Sequence, residues 1–328
     1  MTTVSGEHRL DAPRLLAAWA LPLALLALVA CFALAQPAFL SVSNLTGILH
    51  RVVTVGIMAV GMTFVIMTGG IDLSVGPVMA LAGVVAYFAL QSPALHGLAV
   101  PAGLAAGALV GLVNGAAIAL ARLPPIIVTL GMLSIVRGAA LTLGGPDLHQ
   151  ISGQPGYSYI GTGLLLGVPF SIWILLAVAA AAMLLQAKTT FGLQISAIGD
   201  NERAAHLSGR RVERVRVAAY ILCATTAAIA GIIESSQVYT ASATFGEFGT
   251  ELDVIASVVL GGTRLQGGRG SVARTMVGVL FLGVVNSGLN MLNVRVDVQL
   301  VVKGAIIVVA LALSERAVAR SNSSSTTA

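Results

Sequence analysis

Residues Leu15 to Ala35 read LLAAWALPLALLALVACFALA, a run of twenty-one positions without a charge. As an α-helix rising ~1.5 Å per residue it is long enough to cross a hydrocarbon core of about 30 Å. Arg9 and Arg14 precede it, and Ala33-Leu34-Ala35 has the form of a cleavage site. The run nevertheless exceeds the roughly 7–15 residues of a signal-peptide core, so we read it as a first membrane span. The rest of the chain is of the same kind. Of the 328 residues, 57% are hydrophobic and only 9% are charged, with a mean hydropathy of +0.94. A soluble domain carries about 25% charged residues. These charges cannot cover a water-facing surface, so lipid is the expected solvent and the chain is read as one membrane domain.

Nine further apolar runs follow, at about 52–69, 73–92, 98–121, 126–143, 165–187, 213–235, 251–262, 271–293 and 297–313. The expected fold is therefore an all-α polytopic bundle of about ten membrane segments. Ten crossings place both termini on one side, and basic residues choose that side. With the N-terminus cytoplasmic, the inner segments hold Arg9, Arg14, Arg122, Lys188, Arg203, Arg210, Arg211, Arg214, Arg216, Arg264, Arg269, Arg274, Arg316 and Arg320, which is 14 of the 18 Lys and Arg. Arg51 and Arg295 fall outside, and Arg137 and Lys303 fall within spans. The net charge of +5 is thus explained by topology and calls for no nucleic acid. The expected divisions are a cytoplasmic tail over 1–14, a transmembrane region over 15–313 with an inner loop at 188–212, and a disordered cytoplasmic tail over 314–328, Ser/Thr-rich from Ser321 to Ala328.

The run at 251–262 is too short to cross alone: about 12 residues reach roughly 18 Å as helix. Either neighbouring Gly-rich backbone completes the crossing inside protein or the segment re-enters, and such places often line a transport pathway. Gly103, Gly107, Gly111 and Gly115 recur every four residues, a face on which a second helix can approach closely, for static packing or for sliding. Asp72 and Ser74, in GGIDLSVG, suit an N-cap for the next helix or a contact with cargo. Arg137 and Glu234 are costly in hydrocarbon and must face protein or water. Asn114, Asn286 and Asn290 supply neutral hydrogen-bonding groups, Asn286 and Asn290 on one helical face. They suit helix–helix bonds or an uncharged, hydroxylated cargo. The candidate pathway set is Asp72, Ser74, Asn114, Glu234, Asn286 and Asn290.

The largest inner loop contains Gly199-Asp200-Asn201-Glu202-Arg203-Ala204-Ala205-His206-Leu207-Ser208-Gly209. Asp200 or Asn201 can cap a helix of about two turns that Gly209 ends, with Ala204, Ala205 and Ser208 as a small-residue face. By physics alone it is either a docking knob or a solvated turn. Chemistry of other kinds finds no support. Cys31 and Cys223 have no metal or disulfide spacing, no cofactor motif occurs, and there is no Gly-x-Ser-x-Gly elbow. Gly262 and Gly267 have phosphate-loop spacing, but Gly268-Arg269 stand where Lys and Ser/Thr are required.

Four stretches carry a family resemblance: Gly61 to Gly76 (GMTFVIMTGGIDLSVG), Leu123 to Gly138 (LPPIIVTLGMLSIVRG), Ile198 to Gly209 (IGDNERAAHLSG) and Glu251 to Ser271 (ELDVIASVVLGGTRLQGGRGS). Over about 37–315 the chain resembles the permease subunits of bacterial ribose, xylose and galactose ABC importers. The resemblance implies a type II importer fold in the inner membrane and a pathway for a small sugar without an ATPase site of its own. It also implies as partners an ABC ATPase subunit, a periplasmic sugar-binding protein and a second permease copy. In that family the third stretch forms the coupling helix, a role that falls here on Gly199, Asp200, Asn201, Glu202, Ala204, Ala205, Ser208 and Gly209. The segment between the fifth and sixth runs is short beside some ribose permeases. The alternative is a self-contained ion-coupled carrier, with Asp72, Glu234 and Asp253 as candidate carboxylates.

Overall fold

The computed structural model describes residues 12–246, 249–306, 308, 309 and 312, with side chains from residue 19 onward. The two tail assignments, 1–14 in its larger part and 314–328, lie outside the described residues. In chain order the helices are α1 (Ala12–Ala35), α2 (Val42–Met67), α3 (Val75–Gln91), α4 (Ala99–Ala119), α5 (Pro125–Gly144), α6 (Pro155–Thr162), α7 (Phe170–Lys188), α8 (Thr190–Asp200), α9 (Glu202–Leu207), α10 (Val212–Gln237), α11 (Thr250–Leu260) and α12 (Val272–Met291). A last helix, α13, runs over 296–306. Two small ladders depart from the all-α expectation. The two-residue strands β1 (His149–Gln150), β2 (Leu164–Leu165), β3 (Val168–Pro169) and β4 (Thr240–Ala241) pair β1 with β4 and β2 with β3.

Helix ends follow local chemistry. Ser41 caps α2 by accepting from the Asn44 amide at 3.3 Å, and Ser271 caps α12 by accepting from that of Arg274 at 3.4 Å. Pro125 opens α5, where a missing N–H costs nothing. Among the described residues six helices are, by length and composition, long and apolar enough to cross a membrane: α2, α4 with its preceding turn, α5, α7, α10 and α12. The expected third span is shorter than the hydrophobic run suggested. α3 has 17 residues, roughly 26 Å at the helical rise, because a turn at Asp72–Ser74 delays its start. α11, with 11 residues, is shorter still.

The core is built around α10. Its small side chains Ala219, Cys223, Ala224, Ala227 and Ala228 are fully buried, so α2, α3 and α4 pack closely around it. The glycine face of α4 is used as expected. A Cβ at Gly111 would lie 2.5 Å from Tyr220 O, one at Gly107 2.5 Å from Ala228 Cβ, and one at Gly115 2.7 Å from Val217 Cα. The fourth, Gly103, faces Ala82 O of α3. α1 docks on α12, with the Phe32 ring laid over Gly288 and stacked on Phe39 at 5.4 Å.

Four chain segments meet at one end: Thr68–Gly70 after α2, Arg122 after α4, Gly199–His206 of α8 and α9, and Gln266 after α11. After α11 the chain turns at Gly261–Gly262, and Gly268 N donates to Met67 O at 2.9 Å. The backbone beyond α11 therefore lies at the end occupied by the α2–α3 turn, with Thr263, Gly267 and Gly268 buried and Gly262, Gln266 and Arg269 exposed. At the opposite end β1 pairs with β4, and Thr162 Oγ1 hydrogen-bonds Tyr239 Oη at 2.9 Å.

Candidate functional site: a capped helix on a glycine junction

The loop at 188–212 holds two helices where one was expected. α8 precedes the short helix, capped by Thr189 and anchored by buried Ile195 and Ile198. Its last turn reaches a backbone crossing. A Cβ on Gly199 would overlap both Met67 O and Gly268 N, and one on Gly268 would overlap the Asp200 carboxylate. Only glycine lets three chain segments approach this closely. Beside the crossing, Gln186 Nε2 donates to Gly270 O at 2.9 Å, and its Oε1 accepts from the Val272 amide at 3.1 Å. The loop is thereby joined to the end of α2 and to the start of α12.

α9 is held at both ends. Asn201 Oδ1 accepts from the Ala204 amide at 3.0 Å, so of the two expected caps it is Asn201 that serves. At the other end Gly209 adopts φ +75, with Arg210 N donating to Ala205 O at 3.1 Å and Gly209 N to His206 O at 3.0 Å. That is the paired closure of a Schellman cap. Arg216 of α10 grips the helix from the side, its two guanidinium nitrogens donating to the two Glu202 oxygens at 3.1 and 2.8 Å. This bidentate bond holds the Glu202 carboxyl below its ordinary range. Arg216 stands fourteen residues from Glu202, at no helical spacing, and only the chain reversal brings the two together.

The small-residue face divides. Ala205 is buried at 5% exposure in the main core, whereas Ala204 and Ser208 are exposed. Asp200, Asn201, Glu202 and Gly209 are exposed as well, and Gly199 is half-buried. A groove of about 820 Å³ runs beside α9, with Arg122, Arg203 and Arg216 as its cations and Asp200, Glu202 and Glu213 as its carboxylates.

The six pathway candidates fall into two groups that share no cavity. Asp72, Ser74 and Asn114 form a fully buried cluster near the crossing. Asp72 Oδ1 accepts from the Ser74 amide at 2.9 Å and from its hydroxyl at 2.6 Å, and Asn114 Nδ2 donates to Ser74 Oγ at 2.9 Å. The expected cap of α3 is thus corrected. Ser74 sits at the N-cap without capping because its hydroxyl is engaged by Asp72, which closes the preceding turn. The other three lie on two helices that each pack against α2: Glu234 on α10, Asn286 and Asn290 on α12. Glu234 accepts from Thr54 Oγ1 at 3.0 Å, and Asn290 Oδ1 accepts from Gln299 Nε2 at 2.9 Å. Asn286 lines a small void with Arg51 and Asp253, and Asn290 lines a pocket of about 270 Å³ with Arg51 and Asn44. Composition could not reveal the partners of the other in-span charges: Lys303 meets Asp253 at 2.9 Å, and Arg137 donates to Ala243 O and Phe245 O.

The class this fold defines is a polytopic helical membrane protein with a capped helix at the end where its turns converge. Comparison with known proteins gives the family. Residues 44–311 match the family described as branched-chain amino acid transport system / permease component, and the chain belongs to it. It is 40% identical to the ribose import permease protein RbsC of Escherichia coli strain K12 over 317 residues, 96% of this chain and 98% of that protein. It is 42% identical to the RbsC protein of Bacillus subtilis strain 168, over 90% and 91% of the two chains. Its identity to the L-arabinose ABC transporter permease protein AraH of Azospirillum brasilense is 35%, over 87% and 84%. No solved structure matches it.

Proposed function

We propose that this chain is the membrane-spanning permease subunit of an ATP-driven importer, forming the pathway for a small sugar such as ribose, xylose or galactose. Full-length similarity to permeases named for ribose and arabinose supports the cargo class. The family's own description names branched-chain amino acids, so the cargo test must include one. The observation that carries the mechanism is the rigid seating of α9 on the Gly199 crossing. A partner pressing on α9 moves α8, and α8 cannot move without displacing the end of α2 and the backbone before α12.

The partners in this reading are an ABC ATPase subunit at α9, a periplasmic sugar-binding protein at the opposite end, and a second permease copy. The domain is read as 15–313 in ten segments in a bacterial inner membrane, both termini cytoplasmic and the coupling loop at 188–212. Four inner turns gathered at one end, including the one after α11, support that parity. The Asp72 cluster and the group around Glu234, Asn286 and Asn290 are assigned to the inner and outer parts of the pathway. The ion-coupled alternative loses its motive. Asp72 is bonded to Ser74, Glu234 to Thr54 and Asp253 to Lys303, and the three carboxylates do not gather.

The test is reconstitution in liposomes with an ATPase subunit and a sugar-binding protein, following ATP-dependent uptake of labelled ribose, arabinose and leucine. Uptake of a pentose but not leucine is expected. Uptake of leucine alone would reassign the cargo, and sugar uptake without ATP or partners would return the carrier reading.

A further inference from the structure

Leu207, the last residue of α9, is 81% exposed at the tip of a polar loop. A large aliphatic side chain held out to solvent on a six-residue helix is unusual, because every other feature of that helix restrains it. The Asn201 cap, the Schellman closure, the Glu202–Arg216 bond and buried Ala205 fix where Leu207 points. Arg203, Arg210, Arg211 and Arg214 lie within seven positions of it in the sequence, all exposed and none paired with a carboxylate among the described residues. Glu202, the one acidic residue within α9, is already taken up by Arg216. The stretch 203–214 therefore exposes one large aliphatic side chain among four guanidinium groups that make no ion pair among the described residues, with Asp200 and Glu213 sharing the groove of Arg203.

We propose that Leu207 is the anchor of this chain's docking surface, seated in an apolar socket of the ATPase subunit whose rim is acidic. This rests on the importer reading above and adds the chemistry of the partner's surface. Charge complementarity argues for an acidic rim, since four unpaired arginines would otherwise be brought against a neutral or basic surface on docking. Rigidity argues for a preformed socket. Little conformational freedom remains to be lost at α9, so burial of Leu207 is converted efficiently into affinity. The anchor and its arginines follow the general anatomy of an interface, a desolvated centre within a polar rim.

The experiment places the wild-type chain in nanodiscs and measures its affinity for the ATPase subunit that co-purifies with it. Leu207→Ala is expected to raise Kd about ten- to a hundredfold, the range for losing one buried leucine, and Leu207→Asp at least as much. Leu207→Met should stay within a fewfold of wild type. Arg210→Glu with Arg211→Glu should weaken binding and flatten its dependence on salt, which for wild type should fall as salt rises. The variants sit on exposed positions, and an unchanged thermal midpoint is checked for each. If no ATPase subunit is held by the wild type, the importer reading itself falls. If the wild type binds but Leu207→Asp binds equally well, the anchor is elsewhere. If Leu207→Asp leaves the ATPase affinity intact and instead lowers retention of anionic lipid, the tip belongs to the membrane surface.

Discussion

At the residue scale, the caps and the one cross-chain ion pair of α9 decide how firmly the knob is presented. Asn201→Ala removes the side-chain acceptor for the Ala204 amide, at a cost of about 1 kcal/mol. Hydrogen exchange should speed up over 202–207 and nowhere else. Glu202 gives a pH dependence with a definite sign. Its carboxyl is held below its ordinary 4.5 by Arg216, so its hold on α9 is complete above about that value and is lost as pH falls through the lowered one. Exchange at α9 should thus be insensitive to the pair between pH 6 and 8 and rise only under acid; Glu202→Gln should abolish the acid step. Because Ala205 faces the core, Ala205→Trp overpacks the seat of α9 by about 1–3 kcal/mol and displaces the helix, whereas Ala204→Trp adds bulk on the exposed side. Limited proteolysis at the loop should distinguish them, with cleavage enhanced only for Ala205→Trp. The cap residues were legible because Asn and Gly act within their own loop. The inward turn of Ala205 was not, since two adjacent alanines look alike until a neighbouring helix chooses between them.

At the element scale, close approach governs. Gly199→Ala sets a methyl against Met67 O and Gly268 N, so α8 must lift from the end of α2. Uptake is expected to fall at least tenfold and the thermal midpoint of the extracted protein to drop by several degrees. Normal values for both would mean that the crossing carries no coupling. Gly111→Leu forces α4 away from Tyr220 and Ile221 of α10 and should cost about 3 kcal/mol, seen as depleted full-length protein in membranes. The glycine face of α4 was readable from its spacing of four. The glycine crossing was not, because Gly199 and Gly268 lie 69 positions apart in the sequence and gain meaning only where their backbones touch.

At the scale of the whole molecule, orientation is the testable quantity. In membranes from cells carrying His206→Cys, an impermeant thiol reagent should label that position only from the cytoplasmic side; Ser152→Cys should react only from the outside. Reversal of either pattern would overturn the ten-segment reading. The purified chain alone should hydrolyse no ATP, because Gly268-Arg269 stand where a phosphate loop needs Lys and Ser/Thr.

The sequence by itself determined that this chain lives in lipid, which of its runs are apolar and where its basic loops fall, because hydrocarbon and membrane charge act on composition and order alone. It also determined family membership, through stretches such as IGDNERAAHLSG whose residues are contiguous. Tertiary structure alone decided that α3 begins only after the Asp72–Ser74 turn, which alanine of α9 is buried, and how the pathway candidates are distributed. Those outcomes depend on partners such as Arg216, Asn114 and Met67 O, brought in from distant positions. Burial and hydrogen bonding between chain segments set them, and neither has a period that a linear reading can detect.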